Sequence, residues 1–263
     1  KRMKVLGIAP GSKINFTAHP DFQYINLNEE SAGKINFSIS LNKGLGKLKQ
    51  ITVLNNGTQV FIESINESSA SHYEKTISLE TASGINRFEF IARDENGLES
   101  PRTVRLYNNT KEVKPNLYMV VVASEKFKNT DFDLSYAVKD ASDMANMMSN
   151  SKSFGKIEIK KLFNQSFTTD SVKQLKTFFD KANINDVVMV FFAGHGYLDE
   201  DLSYYFPTYY TDFSDPKINS VAFKEFEKLF TQMKPIRKLM FIDACFSGEV
   251  DEDIFNEEGG EEK

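Results

Sequence analysis

The chain has 263 residues, enough for two domains of ordinary size, and its 40% hydrophobic and 26% charged residues are typical of a folded globular protein. The net charge of −5 comes from residues 249–263, which hold eight acidic residues and one basic residue and leave 29 acidic and 31 basic residues elsewhere. A near-neutral body offers no basic face for nucleic acid, no apolar run suits a membrane helix, and a single cysteine excludes an internal disulfide or a cysteine-based zinc site.

The first 110 residues show the alternation of apolar and polar residues that is typical of half-buried strands. We interpret residues 1–20 as a linker and residues 21–110 as an immunoglobulin-like β-sandwich, although no Trp and no cysteine pair is present to form an antibody-type core. His19 and His72 have no second ligand-type neighbour, and we interpret both as ordinary residues. The predicted strands cover residues 34–41, 48–54, 58–64, 72–79, 86–94 and 102–108.

Beyond a short connector at residues 111–115, continuous apolar runs alternate with segments of helical spacing. The runs predict parallel strands at 116–124, 157–163, 186–194 and 236–243, and the spacing predicts helices at 134–148, 170–182 and 220–233. We expect Thr169 or Asp170 to cap the second helix. Strict alternation of strand and helix predicts an α/β fold, a mostly parallel sheet with helices on both faces.

Two of these strands end in residues that can carry chemistry. His195 lies between Gly194 and Gly196 after one strand, and Cys245, the only cysteine, follows another. Sites in open α/β sheets form where the carboxyl ends of strands meet, so a neighbouring imidazole can hold the thiol as a nucleophilic thiolate. The amides of Gly196 and Cys245 would then form an oxyanion hole.

Either residue alone has a simpler interpretation. A single buried cysteine is usually an inert apolar residue, and a histidine after a strand is usually a structural hydrogen-bonding group. The coincidence of GHG and DACFSG at two strand ends of one α/β unit favours the catalytic interpretation of His195 and Cys245.

From residue 116 onward these motifs resemble those of the caspases and metacaspases, cysteine peptidases with a His-Cys dyad. FFAGHGY is similar to the family's histidine motif, DACFSG to the metacaspase cysteine motif, and YAVKDASDM to the first helix of the family. The 50-residue interval from His195 to Cys245 agrees with the caspase interval. The resemblance implies a caspase-like large subunit at residues 116–248, a protein or peptide substrate and a cysteine endopeptidase activity.

The resemblance also implies a specificity. Metacaspases carry Asp two residues before the cysteine, where this chain has Asp243, and use another Asp at the start of the first helix, which aligns with Asp140. Two carboxylates in a partly dry pocket favour a cation, so we expect cleavage after Arg or Lys. We interpret Asp143, one helical turn on, as a solvated helix residue.

We expect no metal and no cofactor. The alternative is calcium, because some metacaspases are triggered by it and residues 199–201, Asp-Glu-Asp, offer oxygen ligands. A lone cysteine fits a reducing compartment, and we expect a cytoplasmic protein with no nucleic-acid and no membrane partner.

The caspase fold has further strands and a helix after the cysteine loop, whereas here an acidic tail follows at residues 249–263. We therefore expect a separate small-subunit segment to complete the catalytic domain. The tail reads as a processing linker, and an end at Lys263 is what a basic-specific protease, including another copy of this chain, would leave.

Two other functions remain open from the sequence. One is a non-catalytic, caspase-like interaction scaffold, although such proteins usually lose the dyad that is intact here. The other is a separase-like or CHAT-like protease of the same clan, whose histidine and cysteine motifs are similar; the AVKD helix favours the metacaspase branch.

Overall fold

The computed structural model of the protein describes residues 19–29, 33–65 and 72–244. The chain divides into two units, Lys1–Thr110 and Lys111–Lys263, which are described separately. Cys245 and the acidic tail lie outside the described residues, as do residues 1–18 of the predicted linker. Of the helices within the described residues, none combines the length and the apolar character needed to cross a membrane.

The first unit consists of two antiparallel sheets that share one core. The strands are β1 (Asp21–Glu29), β2 (Lys34–Asn42), β3 (Leu48–Asn55), β4 (Thr58–Ser64), β5 (His72–Glu80), β6 (Gly84–Asp94) and β7 (Thr103–Asn109). One sheet has the order β1-β2-β5 and the other β4-β3-β6-β7. Phe37 of the first sheet packs against Phe88 and Phe90 of the second, with ring centroids 5.1 and 5.0 Å apart.

The turn between β3 and β4 has the backbone that its sequence predicts. Asn56 and Gly57 have positive φ angles of 49° and 81°, which a two-residue type I′ turn requires at both central positions. The hairpin predicted from Asn-Asn-Gly is therefore confirmed.

The second unit is built on a four-stranded parallel sheet. The strands of this unit are β8 (Leu117–Ala123), β9 (Ile157–Phe163), β10 (Val187–Ala193), β11 (Tyr197–Leu198), β12 (Tyr204–Phe206), β13 (Val221–Ala222) and β14 (Arg237–Asp243), and its helices are α1 (Ala137–Ser149), α2 (Thr169–Phe179) and α3 (Phe223–Gln232). The parallel sheet has the order β14-β10-β8-β9. Every residue of β8 and β10 is buried, because both strands are covered on two faces.

The helices cover both faces of this sheet. Helix α1 lies on one face, where its buried residues Ala137, Ala141 and Ala145 are small enough for a close approach to the strands. Helices α2 and α3 lie on the other face and contribute to a separate apolar cluster. The predicted arrangement of a parallel sheet between two helical layers is confirmed.

Two local predictions in this unit are wrong. Helix α2 is capped by Thr168, not by Thr169 or Asp170: Thr168 Oγ1 accepts a hydrogen bond from the Ser171 amide, and Ser171 Oγ accepts one from the Thr168 amide. The strict alternation of strand and helix is also interrupted, because a small antiparallel sheet in the order β11-β12-β13 follows β10. Its strands have two or three residues, too few for a periodic signal.

Candidate active site

The carboxyl ends of three parallel strands lie at one level of the sheet. In register, Ala193 of β10 is paired with Ala123 of β8 on one side and with Asp243 of β14 on the other. The ladder continues for one step, since the Gly194 amide donates to the Asp243 carbonyl over 3.1 Å and the Ser124 amide donates to the Ala193 carbonyl over 3.0 Å. The segments that leave these strands therefore start side by side.

His195 lies two residues beyond β10 and is partly buried. Its Nε2 is 2.9 Å from the carbonyl oxygen of Phe132, which belongs to a 3-10 turn in the segment that follows β8. A carbonyl can only accept a hydrogen bond, so Nε2 is the donor, and in the neutral ring the lone pair then lies on Nδ1. The ring is thus held as the tautomer that can accept a proton from a thiol at Nδ1.

Aromatic rings surround the imidazole. Phe127 lies 5.4 Å from its centroid, and Phe213 lies 6.1 Å away in an edge-on arrangement. Phe213 also stacks on Phe132 with centroids 3.7 Å apart and planes 4° from parallel. The residue that supplies the carbonyl to His195 is therefore itself held by a ring from the segment between β12 and β13.

A side chain at the residue before the histidine would be crowded by its neighbours. A Cβ built on Gly194 would lie 3.0 Å from the Ser124 carbonyl oxygen and 3.0 Å from Cζ of Phe192. Because the oxygen belongs to the backbone of a buried residue, it cannot easily move aside. Glycine at this position lets the segment after β10 pass close to the segment after β8.

The two aspartates predicted to bind substrate lie on the same face of the sheet. Asp140 is in the first turn of α1 and is partly buried. Asp243 is exposed and is in register with Ala193, whose side chain belongs to the α1 face. Within the described part of the chain neither carboxylate has a hydrogen-bonding or ion-pair partner, whereas Asp143 pairs with Lys139.

Two residues that the sequence analysis missed fix the start of α1. Glu125 Oε2 accepts a hydrogen bond from the Val138 amide over 3.0 Å, which places a carboxylate at the helix N-terminus. Asn164, after β9, has a φ angle of 49°, and its Oδ1 accepts hydrogen bonds from the amides of Glu125 and Lys126. An Asn at a strand end is the available sequence signal, because Asn tolerates positive φ.

Of the three acidic residues considered as calcium ligands, Asp199 already has hydrogen-bonding and ion-pair partners within the protein. Asp199 is buried, accepts hydrogen bonds from the amides of Asp201 and Ser203 over 2.9 and 2.8 Å, and pairs with Lys217 at 3.0 Å. Glu200 and Asp201 are exposed. Across the residues that the structure describes, no three His, Cys, Asp or Glu side chains are grouped to hold a metal ion.

The predicted oxyanion hole is described only in part. Gly196 directly follows His195 and is partly buried, and Cys245 lies outside the described residues, so the oxyanion hole of Gly196 and Cys245 stays a prediction.

In the first unit, His72 hydrogen-bonds to Asn42 at the surface of β5, and His19 hydrogen-bonds to the neighbouring Pro20 carbonyl.

The ion pair of Asp199 predicts a specific acid sensitivity. Burial by itself raises the pKa of Asp199, but Lys217 and the amides of Ser203 and Asp201 outweigh it and hold the pKa below its ordinary value. A carboxyl with a lowered folded-state pKa stabilises the fold above its unfolded pKa of about 3.9, and this contribution is lost as the pH falls through the folded value.

We expect Asp199→Asn to lower the free energy of unfolding at pH 7 by about 1 to 3 kcal/mol, because it leaves buried donors poorly paired. Denaturant unfolding between pH 3 and 7 should show a shallower loss of stability on acidification in this variant than in the wild type. The matched control is Asp201→Asn, an exposed neighbour. Equal pH profiles for the two variants would contradict the assignment.

The close approach at Gly194 predicts that Gly194→Ala lowers stability by about 1 to 3 kcal/mol, because the added methyl group forces backbone segments apart. Since the displaced segment carries His195, kcat for any reaction of the site should fall more than KM rises. Thermal unfolding and steady-state kinetics check the two effects. Wild-type values for both would show that the segments after β8 and β10 are not closely packed.

Comparison with known proteins identifies the second unit. The Caspase domain family model, Peptidase_C14, matches residues 118–263. No curated protein matches the chain. Similar solved structures include the PKD domain of an M14-like peptidase from a Thermoplasmatales archaeon (17% identity, TM-score 0.29, 35% of this chain and 96% of that one). They also include the fibronectin(III)-like modules of Clostridium thermocellum CbhA (15% identity, TM-score 0.23, 33% of this chain and 97% of that one).

The family match spans more than half of the sequence and includes the strands that lead to His195 and Cys245. The chain belongs to the Caspase domain family of cysteine peptidases.

Proposed function

We propose that the protein is a cysteine endopeptidase in which His195 and Cys245 act as a dyad and cleavage follows Arg or Lys. The observation that carries the proposal is the orientation of His195, whose Nε2 is bound to the Phe132 carbonyl at the edge of the sheet where β14 also ends. Cys245 follows Asp243, the last residue of β14, by two positions in the sequence.

The chemistry follows from this orientation. The thiol of Cys245 gives its proton to Nδ1 of His195, and the thiolate attacks the carbonyl carbon of the scissile peptide bond. The imidazolium returns the proton to the leaving amine as the C–N bond breaks, which leaves a thioester. Water, deprotonated by the same imidazole, then releases the acid and restores the thiol. The amides of Gly196 and Cys245 are the proposed donors to the oxyanion.

The specificity rests on the charge of the α1 face. Asp140 and Asp243 place two carboxylates on one face at the carboxyl edge of the sheet, and neither forms an ion pair with a described side chain. A pair of opposite charges 4 Å apart is worth about 4 kcal/mol at an effective dielectric of about 20, so the two together discriminate strongly between an Arg or Lys side chain and an acidic one.

A second polypeptide segment completes the proposed enzyme. In the described sheet β14 pairs only with β10, which leaves its other edge open. Leu239 and Phe241 on the α1 face of β14 are exposed apolar side chains. An open edge beside apolar side chains suits the addition of a further strand, and this supports a separate small-subunit segment and activation by processing or by that partner.

For the first unit we propose an immunoglobulin-like module. The support is architectural: three strands in one sheet and four in the other, all antiparallel, around a single apolar core.

The specificity proposal predicts the behaviour of three aspartate variants toward fluorogenic peptides that end in Arg, Lys or Asp. The wild type should cleave the basic peptides at least about 100-fold faster than the acidic one, from the Coulomb energies above. Asp140→Asn and Asp243→Asn should each lower kcat/KM for the basic peptides by about 10-fold or more. Asp143→Asn is the matched control, because Asp143 lies one turn along the same helix and pairs with Lys139.

Cys245→Ala should abolish turnover of every peptide. Faster cleavage of the acidic peptide, or equal effects of the Asp140 and Asp143 variants, would overturn the specificity. Turnover that persists in Cys245→Ala would overturn the dyad.

A further inference from the structure

We propose that a cleft beside His195 binds the part of the substrate that follows the scissile bond, and that it prefers a large apolar residue there. The cleft has a volume of about 870 Å³, and its lining includes Lys128, Phe132, Tyr210, Phe213 and Ile218. This volume is within the ~300 to 1,000 Å³ of typical ligand sites. The inference rests on the proposed peptidase function.

The cleft lies between two segments that are joined to each other. One follows β8 and the other connects β12 to β13; the Lys128 amide donates to the Tyr209 carbonyl over 2.9 Å, and Phe132 stacks on Phe213. His195 contacts both of these phenylalanines. The cleft and the imidazole therefore share two residues, which places the cleft next to His195.

The topology decides which half of the substrate reaches the cleft. Strand β10, which leads to His195, lies between β14 and β8. Cys245 follows β14 in the sequence, whereas part of the cleft lining comes from the segment that follows β8, the strand on the other side of β10. In the proposed reaction the acyl half stays on the sulfur and the leaving amine accepts its proton from the imidazole. The leaving half is therefore the half that extends past His195 toward the cleft.

The side chains of the cleft favour an apolar occupant. Phe132, Tyr210 and Ile218 are 36%, 47% and 48% exposed, so three large apolar side chains face solvent around one depression. Burying such surface contributes about 25 cal/mol per Å² of apolar area, and exposed apolar patches mark binding sites more often than scattered residues do.

Several polar groups of the segment between β12 and β13 are already paired. Thr208 Oγ1 donates to the Asn219 carbonyl, Thr211 Oγ1 lies 3.0 Å from Ser220 Oγ, and Asp212 accepts hydrogen bonds from Ser214. These hydrogen bonds fix the shape of the segment and satisfy several of its polar groups. The ion pair of Lys217 with Asp199 ties the same loop to the turn after β11.

The experiment uses the full chain and peptides that share one acyl half ending in Arg. Their leaving halves begin with Phe or Gly, and a coumarin amide serves as a substrate without a peptide leaving half. The quantity measured is the ratio of kcat/KM for the Phe peptide to that for the Gly peptide. We expect a ratio of about 10 or more in the wild type, falling at least about five-fold in Ile218→Asp and in Tyr210→Ala, since one buried apolar side chain contributes about 10-fold or more.

The matched control is Met147→Asp, which places the same charge on an exposed apolar residue of α1, 61% exposed, outside the cleft. It should keep the wild-type ratio. Circular dichroism and thermal unfolding confirm that the cleft variants are folded. A wild-type ratio near one, or a ratio unchanged in both cleft variants, would overturn the inference.

A failure of the peptidase proposal gives a different result. If the wild type cleaves neither the two peptides nor the coumarin amide, the peptidase proposal is contradicted. The preference of the cleft is then tested by a binding measurement. Fluorescence anisotropy of the labelled peptides with the Cys245→Ala protein measures the same preference without turnover. Tighter binding of the Phe peptide than of the Gly peptide supports the proposed apolar preference of the cleft, provided that it is lost when Ile218→Asp is added to Cys245→Ala. Equal binding of the two peptides overturns this preference.

Discussion

The register of three parallel strands is the constraint on which the site depends. Ala123, Ala193 and Asp243 end β8, β10 and β14 at one level, and amide-to-carbonyl bonds continue the ladder at Ser124 and Gly194. Since parallel strands have a fixed spacing of about 4.8 Å, the segments that leave them must start as close neighbours. A shift of the β10 register by one residue would turn its buried residues to the opposite face and move His195 away from the other two strand ends.

The site also depends on the orientation of the imidazole of His195, which is set by a main-chain carbonyl. The Phe132 carbonyl fixes the tautomer of His195, and the stack of Phe132 on Phe213 fixes the carbonyl. No carboxylate takes this place among the described residues around the ring. A neutral acceptor orients the ring without adding a negative charge beside a thiolate, which suits a dyad in which the imidazole itself supplies the positive charge. The same two aromatic residues line the cleft, so histidine orientation and the proposed leaving-group site are physically linked.

Much of this could be predicted from the sequence. Buried parallel strands read as continuous apolar runs and α1 as a helical pattern, and these patterns located the ends at which His195 and Asp243 lie. Other parts left no signal. A backbone carbonyl has no residue signature, so the role of Phe132 was missed, and Phe213 lies in a loop whose contact is purely tertiary. The cap of α2 was misplaced by one residue because Thr168 and Thr169 are equally capable of capping.

The most direct test of the central claim is the pH dependence of alkylation of Cys245. Because this is the only cysteine, the rate of iodoacetamide labelling reports on one thiol. An unperturbed thiol has a pKa of about 8.5, and an adjacent imidazole lowers it by favouring the thiolate. The account predicts that labelling of the wild type is already fast well below pH 8.5, and that His195→Ala moves the midpoint up to about 8.5. Identical profiles for the two proteins would contradict a His195–Cys245 dyad.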